Sequence, residues 1–197
     1  ATIAKEAGLE PLADKMYEVN VRNLDAEAAK FVNDKVADID AALAGARDII
    51  AERLSESAKV RETLRGIFRT RRVVSKATKS GRESADAQKF QGYFDYSEPL
   101  SRIAAHRLLA MLRGEEAGWL SVKIDADAEK CGNKLYYDFC QERRYPAGKL
   151  AEQIRMAVDD AYKRLLEPSI TTEILREAKQ KADQDSIVVF GENLKQL

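Results

Sequence analysis

Apolar residues recur every three or four positions along most of this chain, and that spacing predicts helices joined by short polar turns. The clearest is "DIDAALAGARDIIAERL", residues 38–54, where Ile39, Leu43, Ala46, Ile50 and Leu54 form one stripe against a charged back. Upstream, Gly8 closes one segment and Pro11 falls in the first turn of the next. Asp25 is the expected N-cap of a short Ala-rich helix that carries Phe31. Downstream, Ser57 is the expected cap of a helix burying Val60, Leu64, Ile67 and Phe68.

Beyond Phe68 the period is lost. "RTRRVVSKATKSGRES" reads as a basic connection with a short extended piece at Val73 and Val74. A helix is predicted from about Ser84 through Phe94, with Phe90, Tyr93 and Phe94 on one face. Ser97 is then the expected cap of a helix that Pro99 starts. "GWLSVKID" alternates Trp119, Ser121 and Lys123 against Leu120, Val122 and Ile124, the pattern of a half-buried strand. A strand cannot stand alone, and "RRVVSKA" is its expected partner.

The last third returns to helical spacing. Leu135, Tyr136, Phe139 and Cys140 mark one helix, and Leu150, Ile154, Val158, Ala161 and Leu165 mark a second that should end at Pro168. From Ser169 to Leu197 the pattern predicts one helix of about 27 residues, near 40 Å long at about 1.5 Å per residue. The expected fold is therefore mainly α: a multi-helix scaffold, a small β element (about 73–76 and 119–124), and a long C-terminal helix. We read residues 1–197 as one mostly helical region. Within it, 1–70 is helical, 71–125 holds the basic connection, aromatic corner and strand, and 126–197 is helical again.

Charge changes the picture only locally. Thirty-three basic and 33 acidic residues cancel, unlike the balance of a globally basic nucleic-acid binder. Two cysteines without C-x-x-C spacing point to a reducing, cytoplasmic setting, and no apolar run is long enough to span a membrane. The chain starts at Ala1 inside a helical pattern and stops at "GENLKQL" without a stop signal, so a piece of a longer protein is expected.

The candidate chemistry is thin. His106, the sole histidine, lies roughly 100° around its helix from the centre of the face formed by Ala105, Leu108, Leu109 and Leu112. That boundary position predicts packing rather than catalysis, and without a second histidine or a cysteine at ligand spacing no zinc set forms. "DADAEKCG" places Lys130 and Tyr136 where a calcium loop needs Gly and Glu, so its acids read as helix caps. Phosphate loops are absent, and Asp159 and Asp160 are helix neighbours that point apart. No enzyme, metal or cofactor is expected. The interaction candidate is the basic segment, with Arg61, Arg65, Arg69, Arg71, Arg72, Lys76 and Lys79 as candidate nucleic-acid contacts. Arg61, Arg65, Arg69 and Arg72 are spaced to line one helix side. Such a ridge neutralises phosphates without reading bases; equally, it is a face paired with acids from elsewhere in the chain. Arg143, Arg144 and Tyr145 form a smaller cluster, read as structural.

Several stretches together resemble the Tex family of bacterial transcription accessory proteins. They are "GLEPLA" (8–13), "DIDAALAGARDIIAERL" (38–54), "YFDYSEPL" (93–100), "HRLLAMLRGE" (106–115), "DAYKRLLEPSI" (160–170) and "VVFGENLKQL" (188–197), in family order over nearly the whole chain. Ala104 and Ala105 stand where the family usually has proline and serine. The resemblance implies a helical segment upstream of an RNase-H-like domain, in a parent that also carries an S1 RNA-binding domain. It implies nucleic acid and the transcription machinery as partners, reached mainly through domains outside this sequence. For this segment two roles stand: a non-enzymatic scaffold, or a weak, sequence-independent binder of RNA or DNA backbone.

Overall fold

The structure, a computed structural model, describes residues 1–197. It is mainly α, with ten α-helices and a three-stranded antiparallel sheet. The chain forms two compact units, each built from two stretches: 1–62 with 127–168, and 63–126 with 169–197.

The first unit is all helical. It contains α1 (Thr2–Glu6), α2 (Glu10–Tyr17), α3 (Leu24–Ala29), α4 (Ile39–Glu56), the start of α5 (Ala58–Arg69), α8 (Ala128–Arg143) and α9 (Lys149–Asp160). At its centre is α4, whose Ala42, Leu43, Ala46, Ile49, Ile50 and Leu54 are buried, as the periodicity predicts. Around it pack α1, α2, α3 and α9. Asp38 starts α4 by accepting a hydrogen bond from the Ala41 N–H at 2.8 Å, satisfying a backbone donor that the first turn leaves unpaired. Pro11 lies in the first turn of α2 as expected, and Ser57 caps α5, its Oγ accepting from the Val60 N–H at 3.3 Å. The cap of α3 is Asn23, not Asp25: Asn23 Oδ1 accepts from the Ala26 N–H at 3.1 Å. Leu24 is buried, so the helix starts two residues earlier and Asp25 becomes a first-turn acid.

The second unit is built on the sheet β1 (Arg72–Ala77), β2 (Asp95–Pro99) and β3 (Leu120–Ile124), in the order β2-β1-β3. The expected pairing holds: Val73 faces Ile124 and Ser75 faces Val122. On the inner face Val73, Ser75, Leu120, Val122 and Ile124 are buried together with Phe68, Leu108 and Met111. The hydroxyl of buried Ser75 donates to the Tyr93 carbonyl at 2.7 Å, which removes the cost of hiding it.

Three further expectations are corrected. Ser97 and Pro99 do not cap and start a helix; they belong to β2, with Ser97 opposite Val74, and α7 (Ala105–Glu116) begins only after Ala104. An unpaired edge of β1 draws this polar segment into the sheet, against its local turn chemistry. Residues 85–93 form a 3₁₀ helix rather than an α-helix. Ala87, Phe90 and Tyr93 are three apart, so the tighter helix stacks them on one line. Finally, the helix through Leu165 does not end at Pro168. It passes through a π segment (Ala161–Leu166) into α10 (Glu167–Lys195), a helix of 29 residues. Proline removes one hydrogen bond and crowds the preceding turn, and the wider π turn gives it room. The long C-terminal helix is present as expected, unbroken past residue 190.

Candidate nucleic-acid interface

The predicted basic residues fall into separate settings. On α5, Arg61 is half-buried and its Nη1 donates to the Ser55 carbonyl at 3.0 Å, in the last turn of α4. A cation is favourable there because the carbonyls at a helix C-terminus carry partial negative charge. One turn on, Arg65 Nε donates to Glu173 Oε2 of α10 at 2.7 Å. One more turn on, Arg69 meets Glu177 through two bonds, at 3.0 and 3.1 Å. The four-residue spacing of the arginines matches the four-residue spacing of the glutamates. Two helices are thus laced together by charge.

Arg71 is half-buried, with its Nε enclosed and not hydrogen-bonded. Arg72 and Lys76 project from the outer face of β1, since Val73 and Ser75 occupy the inner one. Arg72 is held by a neutral partner, donating to Ser97 Oγ at 3.1 Å and to the Ser97 carbonyl at 2.9 Å. Lys76 lies 3.9 Å from Asp95, its cross-strand neighbour, and both are open to solvent. Lys79 is exposed at the start of α6 (Lys79–Glu83). The structure therefore brings Arg65 and Arg69 together with carboxylates, and Arg72 and Lys76 onto the exposed sheet face.

Other candidates resolve as structure. His106 is exposed on α7, whose buried side is Leu108, Met111 and Gly114; the expectation of a half-packed boundary position is corrected. The helix presents its core face one residue further round than the leucine spacing implied. Asp127 caps α8, accepting from the Lys130 N–H at 3.1 Å. No group of three or more His, Cys, Asp or Glu is placed to hold a metal ion. In the first unit, the Arg143 guanidinium lies 4.1 Å from the Phe139 ring centre and 4.3 Å from that of Tyr17. Tyr145 donates to the carbonyls of Met16 and Tyr17, and burial pushes its hydroxyl well above the usual phenol range. That cluster is a packed clasp.

Two features were not legible in advance. One is a carboxylate knot at Glu98, bonded by Arg107 and Tyr96. The Arg107 guanidinium holds the Glu98 carboxyl below its ordinary range, against the opposing effect of burial. Its only sequence signal is an acid followed nine residues later by an arginine. The other is an open pocket beside Trp119, lined by Tyr93, Lys89 and Arg113. The aromatic residues were visible in the sequence, but not that two of them stay half-exposed.

A mainly α protein of two compact units, one of them carrying a small three-stranded sheet, is the class that this fold defines. A family model described as Tex central region-like matches residues 21–190, and the chain belongs to that family. It is 33% identical over 199 residues to the transcriptional accessory protein Tex of Neisseria gonorrhoeae, covering 100% of this chain and 26% of that protein. Protein tex of Bordetella pertussis is 33% identical over 217 residues, with 100% and 26% covered. S1 RNA-binding domain-containing protein 1 of Homo sapiens is 25% identical over 166 residues, with 78% and 16% covered. The chain spans about a quarter of the length of the curated relatives it matches. No helix is long and apolar enough to cross a membrane.

Proposed function

We propose that this chain is a non-enzymatic helical scaffold within a Tex-like, nucleic-acid-binding transcription accessory protein of the cytoplasm. The observation that carries this reading is the lacing of Arg65 and Arg69 to Glu173 and Glu177. Guanidiniums engaged by carboxylates of their own chain have their charge offset and are poor counterions for phosphate. The names of the relatives, one a transcriptional accessory protein and one an S1 RNA-binding protein, support nucleic acid and the transcription machinery as partners of the whole protein.

A second reading makes the chain itself a weak backbone binder. Arg72, whose partner Ser97 is neutral, and Lys79, which is exposed, favour it. One experiment separates the two. Arg65, Arg69 and Arg72 are replaced together by Glu, and affinity for labelled RNA and DNA is measured beside thermal stability. The scaffold reading expects lower stability with unchanged affinity. A collapse of affinity and of its salt dependence would overturn it in favour of the binding reading.

A further inference from the structure

The pocket beside Trp119 has a volume of about 540 Å³, inside the range of roughly 300–1,000 Å³ common for sites that hold small organic groups. Three elements build it. The 3₁₀ helix supplies Lys89, Phe90 and Tyr93, the end of α7 supplies Arg113 and Glu116, and Trp119 stands just before β3.

Trp119 is fixed from both sides by its own backbone. Its N–H donates to the Gly114 carbonyl at 2.9 Å, and its carbonyl accepts from the Thr78 N–H at 3.0 Å. Gly81 of α6 backs directly against that carbonyl, a contact that any larger residue would break. Tyr93 is steadied by Tyr96, ring edge to ring face at 5.6 Å. Phe90 is buried, but Tyr93 and Trp119 are only half-covered. Two aromatic walls are thus held in place without being consumed by the core, and a rigid wall loses little entropy on binding.

The rim carries charge of a particular kind. Lys89 and Arg113 are exposed, and neither is bonded to a carboxylate, in contrast to Arg65, Arg69, Arg107, Arg155 and Arg164. The Lys89 ammonium rests 5.5 Å from the Phe90 ring centre, which keeps it at the pocket edge. Glu116 adds one acceptor, leaving two cations against one carboxylate.

An anionic group that also carries a flat aromatic face matches both features. We propose that this pocket takes one nucleotide unit of a single-stranded nucleic acid. Its base packs against Trp119 and Tyr93, its phosphate is met by Lys89 and Arg113, and Glu116 accepts from a base amine or sugar hydroxyl. A single strand is required because the faces of duplex bases are already stacked on one another. This site does not rest on the scaffold reading or on the α5 arginines, and its test uses other residues.

Trp119 is the sole tryptophan, so its fluorescence reports the pocket directly. The 197-residue chain is titrated with oligouridylate, oligothymidylate and a duplex of equal length. Both single strands should quench Trp119 saturably, and the duplex should not. The double variant Lys89→Glu, Arg113→Glu should bind roughly ten-fold or more weakly, and its log K against log salt should flatten by about 0.7, the share of the one phosphate that both cations meet on a single strand. Both positions are exposed, and Lys89→Gln with Arg113→Gln replaces them if the reversal unfolds the chain. Three results would overturn the proposal: single strands that bind without altering Trp119 emission, a variant with wild-type affinity and slope, or no binding at low salt. Quenching by a tyrosine-bearing acidic peptide but by no oligonucleotide would also overturn it, assigning the pocket to a protein partner.

Discussion

Arg107 grips Glu98 through two parallel hydrogen bonds, Nε to Oε2 at 2.9 Å and Nη2 to Oε1 at 2.7 Å. Glu98 stands in β2 and Arg107 in the first turn of α7, so the pair fixes a strand-to-helix corner. Tyr96 adds a third donor to the same carboxylate at 2.8 Å. Charge-assisted, bidentate geometry of this kind is stronger than an ordinary surface ion pair.

The Glu98 carboxyl sits below its ordinary value of 4.5, so its contribution to stability is present above that value and fades as pH falls through the lower folded one. At neutral pH, Glu98→Gln should cost on the order of 1–2 kcal/mol. Urea unfolding of both proteins at pH 7 and again in acid checks this: the gap between them should be full at pH 7 and shrink in acid. A gap that widens on acidification would contradict it.

The helix lacing predicts measurable coupling between α5 and α10. A double-mutant cycle on Arg65 and Glu173, whose side chains are 27% and 32% exposed, should return roughly 0.5–1 kcal/mol. The cycle on Arg69 and Glu177 should return less, because that pair is more open to water and its charges are better screened. Equal coupling in the two cycles would mean that exposure does not set their strength.

Two glycines should respond to alanine in opposite directions. A methyl group at Gly81 runs into the Trp119 carbonyl oxygen, so Gly81→Ala should destabilise by about 1–3 kcal/mol. At Gly191, inside α10, a methyl group meets nothing within 4 Å. Gly191→Ala should therefore raise helicity and stabilise locally by up to ~1 kcal/mol. Thermal melts together with amide exchange across residues 187–197 distinguish these outcomes.

His106 offers a control. Because it is exposed on α7, His106→Gln should change stability by no more than about 0.5 kcal/mol and leave nucleic-acid affinity unaltered. A larger loss in a melt would reveal a contact that the exposed position does not provide.

Much of this protein was legible from its residues alone. The stripe of α4 and the alternation of β3 are local periodicities, and burial follows period wherever one face meets a core. The partner of β3 followed as well, because one extended basic segment was available to pair with it. The Tex resemblance came from motif order, which needs no geometry.

Other features depend on contacts between distant residues, and there local signals pointed elsewhere. "DYSEP" carries cap and helix-start chemistry, yet the open edge of β1 offers backbone hydrogen bonds worth more than a cap, so it becomes β2. Pro168 reads as a stop, but a π turn ahead of it lets the helix continue. In sequence Arg65 and Arg69 read equally as a phosphate-facing ridge or as a face paired with acids from elsewhere in the chain. The carboxylates they meet, Glu173 and Glu177, each lie 108 positions away. Periodicity records which face of an element is apolar; it holds no record of which charged group will lie opposite, because pairing between remote side chains exists only once the chain has closed on itself.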